Sequence, residues 1–307
     1  MRPILAHRVA LQIALLPAVA GLGCFKSIAL NSAADAVSGS GGAYGTDDDP
    51  ELVRAAVPFG LKTMEGLAIS LPDHVQLRAS LAKGFTQYAY AFVQADAERA
   101  AEKDLALGRS LKARAGKLYL RARDYGLEGL RLRHGLKPAD LRGQARIEAL
   151  KKIEREDVDL LYWTLVPWAA AIAANKTDVA LVGDLGAVTA MLDRAIELDE
   201  SYDKGALHEF SLSYDSARPG GTTRDRQKAH LDRAVQLSGG KRVSPFVSYA
   251  ENVLAQAQDR KGFEAELQKV LQFNVNDPAA REDRLANVIA QQRAAWLLSR
   301  VSDLFLD

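Results

Sequence analysis

Arg194-Ala-Ile-Glu-Leu198, Arg233-Ala-Val-Gln-Leu237 and Lys269-Val-Leu-Gln-Phe273 are three versions of one phrase, spaced 39 and 36 residues apart. Each closes an amphipathic stretch. Val188, Met191, Leu192, Ala195 and Ile196 fall on one helical face at i, i+3, i+4, i+7 spacing; Leu231, Ala234 and Val235 repeat it, and so do Phe263, Leu267, Val270 and Leu271. The period is near the roughly 34-residue helical pair of tetratricopeptide arrays, with loops such as Arg218-Pro-Gly-Gly-Thr222 supplying the excess. One such pair cannot bury its apolar face alone, but stacked pairs can. The expected fold is therefore all-α, with antiparallel helix pairs stacked as degenerate tetratricopeptide-like repeats in an α-solenoid or superhelix. The tryptophan and glycine usual in the first helix of each unit are missing, so a non-repetitive helical bundle is the competing reading.

Outward from these phrases the pattern stays helical, with segments near 50–70, 73–101, 104–133, 138–153, 156–174, 179–198, 202–217, 222–238, 244–258, 260–273 and 278–305 and no period-two strand. Asp49-Pro50, Ser244-Pro245 and Asp277-Pro278 mark helix starts, because the polar side chain can accept from early backbone N–H groups and proline suits the first turn. Asp47-Asp48-Asp49 lacks the alternating ligands and closing glutamate of a calcium loop. Residues 50–307 are expected to form a single helical domain.

The 307 residues are 48% hydrophobic, which suffices for a packed core. Lysine plus arginine (40) balances aspartate plus glutamate (39), so no field of one sign draws nucleic acid. The one cysteine, Cys24, excludes an internal disulfide framework and a cysteine-rich zinc site. Before it, Arg2, His7 and Arg8 precede an apolar run from Val9 to Val19, followed by the small residues Ala20, Gly21 and Gly23. This order marks residues 1–23 as a signal peptide, shorter in its apolar run than the roughly 20 residues of a spanning helix. Gly23-Cys24 resembles a lipoprotein cleavage site that would make Cys24 the acylated first residue, although Gly21 stands where leucine is usual. Cleavage after Ala18-Val19-Ala20 is the alternative. Residues 24–49, with Ser38-Gly-Ser-Gly-Gly42, are expected to be a lipidated terminus and flexible tether.

Catalytic and metal chemistry find little support. His74, His134, His208 and His230 have no second histidine at helical-pair spacing, and no phosphate-cradling glycine loop or serine elbow is present. His208-Glu209 could be a base and its orienter, but adjacent helical residues point to different faces, and a surface or capping role is expected. No enzyme activity, cofactor or metal is predicted. Two aromatic segments stand out in a chain with 7% aromatics. In Gly84–Val93, Phe85, Tyr88 and Phe92 share a helical face while Gln87 and Tyr90 look elsewhere. In Leu160–Ile172, Trp163 and Trp168 flank Pro167, which is expected to kink the helix. Either set could be core, or could line an apolar groove with a few polar handles. Phe85, Gln87, Tyr88, Tyr90, Phe92, Trp163 and Trp168 are the candidate ligand- or partner-binding residues.

Asp48-Asp-Asp-Pro-Glu-Leu-Val-Arg54, Pro58-Phe-Gly-Leu-Lys-Thr63, Gly84–Val93, Tyr119-Leu-Arg-Ala-Arg-Asp-Tyr-Gly126, Glu156–Trp163, His208-Glu-Phe210 and Ala295–Phe305, in this order, resemble the TatT family, the T components associated with TRAP transporters. The resemblance implies a periplasmic lipoprotein of tetratricopeptide-like helices, anchored to a bacterial membrane through its lipid. It further implies a homotrimer that engages the substrate-binding P protein and passes on a hydrophobic ligand. Two roles stay open: a docking component of the transporter, or a stand-alone carrier for a small hydrophobic acid. An open groove with exposed aromatics would favour the first, and a closed apolar pocket beside Trp163 and Trp168 the second.

Overall fold

The computed structural model describes residues 41–306 apart from Pro219. The expected signal peptide and Cys24 lie outside the described residues. Among the described residues there is no strand, and the predicted segments are helical. A short α1 (Gly41–Gly45) precedes α2 (Pro50–Ser70), which begins as predicted: Asp49 accepts from the N–H groups of Glu51 and Leu52 at 3.0 and 3.1 Å, and Pro50 occupies a position that needs no donor. α3 (Val75–Tyr88) runs through a π-helical turn, Ala89–Gln94, into α4 (Ala95–Ala101). α5 (Leu105–His134) ends at Gly135, whose φ of +69° gives the left-handed cap that glycine adopts without steric cost. Then come α6 (Ala145–Leu150), α7 (Val158–Ala174), α8 (Val179–Val182), α9 (Leu185–Asp199), α10 (Tyr202–Ala217) and α11 (Arg224–Leu237). α12 (Ser244–Tyr249) continues into a second π-helical turn, Ala250–Leu254, and α13 (Arg260–Gln272), α14 (Arg284–Leu298) and α15 (Val301–Leu304) complete the chain.

Packing follows the sequence phrases. α3 pairs with α5, α7 with α9, α10 with α11 and α12 with α13, while the first members also pack on one another in the order α3, α7, α10, α12, α14. These five helices make a continuous inner row. The three phrases close α9, α11 and α13, and their matched positions are buried alike: Val188, Gln227 and Phe263; Leu192, Leu231 and Leu267; Ala195, Ala234 and Val270. Gln227, the one polar member, donates to the Ser216 hydroxyl, as a buried amide must. Leu271, assigned to this face from sequence, stands at its exposed edge.

The last helices return to the first. α14 packs on α1 and α2, Arg284 pairs with Asp48, and Arg293 pairs with Glu98 of α4. Trp296 donates through Nε1 to Glu102 at 2.7 Å, and Arg300 lies 3.4 Å from the same carboxylate. The row of helices thereby closes into a ring. Closure also accounts for a difference from the expected tether, whose last part is helical and docked: a Cβ on Gly45 would come within 2.8 Å of the Glu282 carbonyl oxygen.

α5 and α7 approach each other closely. A Cβ on Gly126 would sit 2.4 Å from Thr164 Oγ1 and 2.9 Å from Thr164 Cα, and a backbone atom cannot rotate away. Gly126→Ala is therefore expected to lower stability by about 1–3 kcal/mol in urea unfolding, the usual cost of overpacking. Unchanged stability would show that the two helices do not approach this closely.

Candidate functional site

Phe85, Tyr88 and Phe92 share one face, as their spacing predicts, and it packs toward α2 and α5. Phe85 stacks on Tyr125 with ring centroids 6.0 Å apart, and the Arg121 guanidinium lies 5.3 Å from its ring. Phe92 lies 5.8 Å from Tyr88 and under Arg54 of α2. Trp163 and Trp168 are 6% and 1% exposed, and α7 runs unbroken through Pro167. Their indole N–H groups are buried without hydrogen-bond partners among the described residues. Cations instead approach the rings, Lys83 at 5.6 Å from Trp163 and Arg123 at 5.8 Å from Trp168. Gln87 is exposed.

Tyr90 is different. It is 60% exposed, yet burial, and then the charge of Glu251, push its hydroxyl far above the usual tyrosine range. Water reaches the ring while protein crowds the hydroxyl from several sides. The charges acting on it come from Glu251 after α12, Arg293 of α14, Glu209 of α10 and Glu98 of α4, so it faces the space enclosed by the ring. The half-buried Tyr162 of α7 faces the same space. Its hydroxyl is raised by burial first and then by Glu209 and Asp203, with Tyr90 also felt. Glu209, half-buried as well, is raised by burial in spite of a hydrogen bond from Ser244. Around Tyr162 stand Trp163, Tyr202 and Phe210, with ring centroids 4.9, 5.2 and 6.4 Å away. The Tyr202 hydroxyl donates to Asp159 at 2.6 Å.

Three irregular backbone segments border this wall. The π-helical turns Ala89–Gln94 and Ala250–Leu254 carry Tyr90 and Glu251, and such turns occur frequently at functional sites. Asp203, Lys204 and Gly205 have φ of 41°, 58° and 91°, a left-handed run that costs a non-glycine residue about 1–3 kcal/mol. Arg242 holds it, donating to the Asp203 carbonyl and carboxylate at 2.8 Å each and to Asp283. Lys204 reaches Asp283 at 2.7 Å.

Other polar clusters are more self-contained. A groove of about 680 Å³ on the outer wall runs beside Arg78 and Tyr125, but Arg78 donates to the carbonyls of Ala68 and Pro72, and Glu65 takes Lys62, Arg121 and the Tyr125 hydroxyl. Arg78 Nη1 is buried without a hydrogen-bond partner among the described residues, and Lys117 also lines the groove. His208 is buried, unlike the surface role its sequence position suggests: its Nδ1 lies 2.9 Å from Nδ1 of His230, and Glu200 is 3.3 Å from its Nε2. Burial lowers both histidines below their usual range. The contact fastens α10 to α11.

A family model described as the TRAP transporter T-component matches residues 46–305. The chain belongs to this family. An uncharacterized protein of Treponema pallidum (strain Nichols) is 29% identical over 266 residues, covering 85% of this chain and 82% of that one. In this T component, the inner-wall groups that sequence reasoning did not assign are Tyr162, Glu209, Arg242, Glu251 and Arg293. Tyr162 and Glu209 lie inside segments already singled out, but nothing in helical spacing says that α7, α10 and α14 turn these residues toward one space.

Burial separates the aromatic candidates by what their loss should do. Trp163→Ala is expected to cost about 3–5 kcal/mol in thermal or urea unfolding, the range for emptying an aromatic core site. Tyr90→Ala should stay within about 0.5 kcal/mol, as for an exposed side chain. Equal losses would contradict this division.

Proposed function

We propose that this T component is a non-catalytic, lipid-anchored periplasmic part of a TRAP transporter, which docks the substrate-binding P protein over its inner wall and passes on a ligand held there. The observation that carries the reading is the partly exposed inner row of helices, on which Tyr90 is 60% exposed and Tyr162 and Glu209 are half-buried. Concave surfaces on stacked helices suit binding. Its open, polar-rimmed character favours docking over a stand-alone carrier of a hydrophobic acid, for which Trp163 and Trp168 would have to wall a closed chamber instead of filling the core. No described helix is long and apolar enough to cross a membrane, so attachment in this reading rests on acylated Cys24. Copies would meet on the exposed stripe Leu52, Phe59 and Ile69 of α2, where large apolar side chains at helical spacing have no cover among the described residues.

Co-expression with a TRAP substrate-binding protein, followed by fractionation, tests these parts together. Both proteins are expected in the membrane fraction, both should move to the soluble periplasm with Cys24→Ser, and light scattering of the extracted T component should give three chains. A Cys24→Ser protein that stays in the membrane would overturn the anchor. A soluble P protein beside a membrane-bound T component would overturn the docking, and a monomer the assembly face.

A further inference from the structure

The outer groove of about 680 Å³, between the end of α2 and α5, holds more positive charge than its own carboxylates answer. Three carboxylates line it, and each is held by a cation from outside the lining: Glu65 by Lys62, Asp124 by Arg123, and Glu128 through both oxygens by Arg131. The three cations of the lining itself are left over. Arg121 reaches only Glu65 among the described residues, at 3.6 Å, and that acid already accepts from Lys62 and the Tyr125 hydroxyl. Lys117 is exposed and has no carboxylate partner among the described residues. Arg78 is 7% exposed and has no ion pair there either. Its Nη2 donates to the carbonyls of Ala68 and Pro72 at 3.2 and 2.9 Å, while Nη1 has no acceptor. Buried polar groups are nearly always hydrogen-bonded and buried charges paired. An anion in the groove would supply what this guanidinium lacks.

We propose that this groove binds an amphiphilic phosphate monoester, its phosphate drawn by Arg78, Lys117 and Arg121 and its apolar portion lying along Ala68, Pro72 and Leu120. The site is separate from the inner wall and does not depend on it. A phosphate monoester carries about −1.5 to −2 charge at pH 7 and three strong acceptor oxygens. Three cations are answered better by that group than by the single charge of a carboxylate, and guanidinium groups match its geometry as donors. The groove is larger than a phosphate group alone would fill, and its apolar lining leaves the remainder to a hydrocarbon portion. A free alkyl phosphate and a phosphatidic-acid lipid share this chemistry.

Octyl phosphate, octanoate, 1-octanol and inorganic phosphate, titrated calorimetrically near neutral pH into the full chain with Cys24 replaced by serine, test the class. Octyl phosphate is expected to bind about tenfold or more tightly than any of the others, since it alone engages both the cations and the apolar lining. The double variant Lys117→Glu with Arg121→Glu, at two exposed positions, should remove that preference while the helical circular dichroism stays unchanged. Arg78→Met should remove it as well; should that variant fail to fold, the double variant decides alone. Dihexanoyl phosphatidic acid binding more tightly than octyl phosphate would support the site and assign it to a lipid headgroup, and the reverse order would support it as a seat for a free ester. Octanoate binding as tightly as octyl phosphate would overturn the phosphate. Octyl phosphate binding no more tightly than 1-octanol, or equally well to the double variant, would overturn the site.

Discussion

Arg293 is the residue on which the architecture turns. Its guanidinium joins Glu98, near the start of the described chain, to Glu251 in the second π-helical turn, and lies 4.3 Å from the Trp296 ring. Burial works against its charge, but Glu251 and Glu98 more than offset this and hold the guanidinium ionised. Breaking a buried ion pair costs about 3–5 kcal/mol, because the partner is left charged and dry. Here the carboxylates keep about a third of their exposure, which puts the cost below that range, yet losing Arg293 would leave two carboxylates unpaired. A stacked array is held mainly by neighbour contacts. A clasp between its ends turns an open curve into an enclosed space.

The enclosed space explains the chemistry of its lining. Tyr90, Tyr162 and Glu209 lie on helices separated widely in sequence, yet both tyrosines feel the charge of Glu209, and Tyr162 that of Tyr90 as well. Their shifts toward the neutral form come first from burial by nearby protein, with neighbouring carboxylates adding to it. The irregular segments fit this picture. A π-helical turn rotates the residues beyond it relative to a regular helix, and the left-handed run at Asp203–Gly205 brings Arg242 and Asp283 to the same rim. The strain is offset by ion pairs that also fix where the cations point.

Much of the fold was legible because it follows from local rules. Ala195, Ala234 and Val270 recur at matched positions and are buried in the same way, and Asp49-Pro50 starts a helix by a mechanism confined to a few residues. The shared face of Phe85, Tyr88 and Phe92 was legible for the same reason. Closure of the ring was not, since Glu98 and Arg293 are 195 residues apart and no periodicity links them. The inner wall stayed hidden with it: Tyr162 and Tyr90 acquire a common environment only when the helices stack. His208 shows the limit from another side. Its lack of a helical partner at i+3 or i+4 concealed a partner 22 residues away on the next helix.

The central claim is that α4 and α14 are clasped and so enclose the inner wall. With Cys24 replaced by serine, spin labels on cysteines placed at the exposed Arg99 and Gln292 would report the separation of the two helices by pulsed electron resonance. A single short, narrow distance distribution that broadens on Arg293→Ala is the predicted result. A broad, long distribution in the unaltered background would mean that the ring is open, and the enclosed site would fall with it.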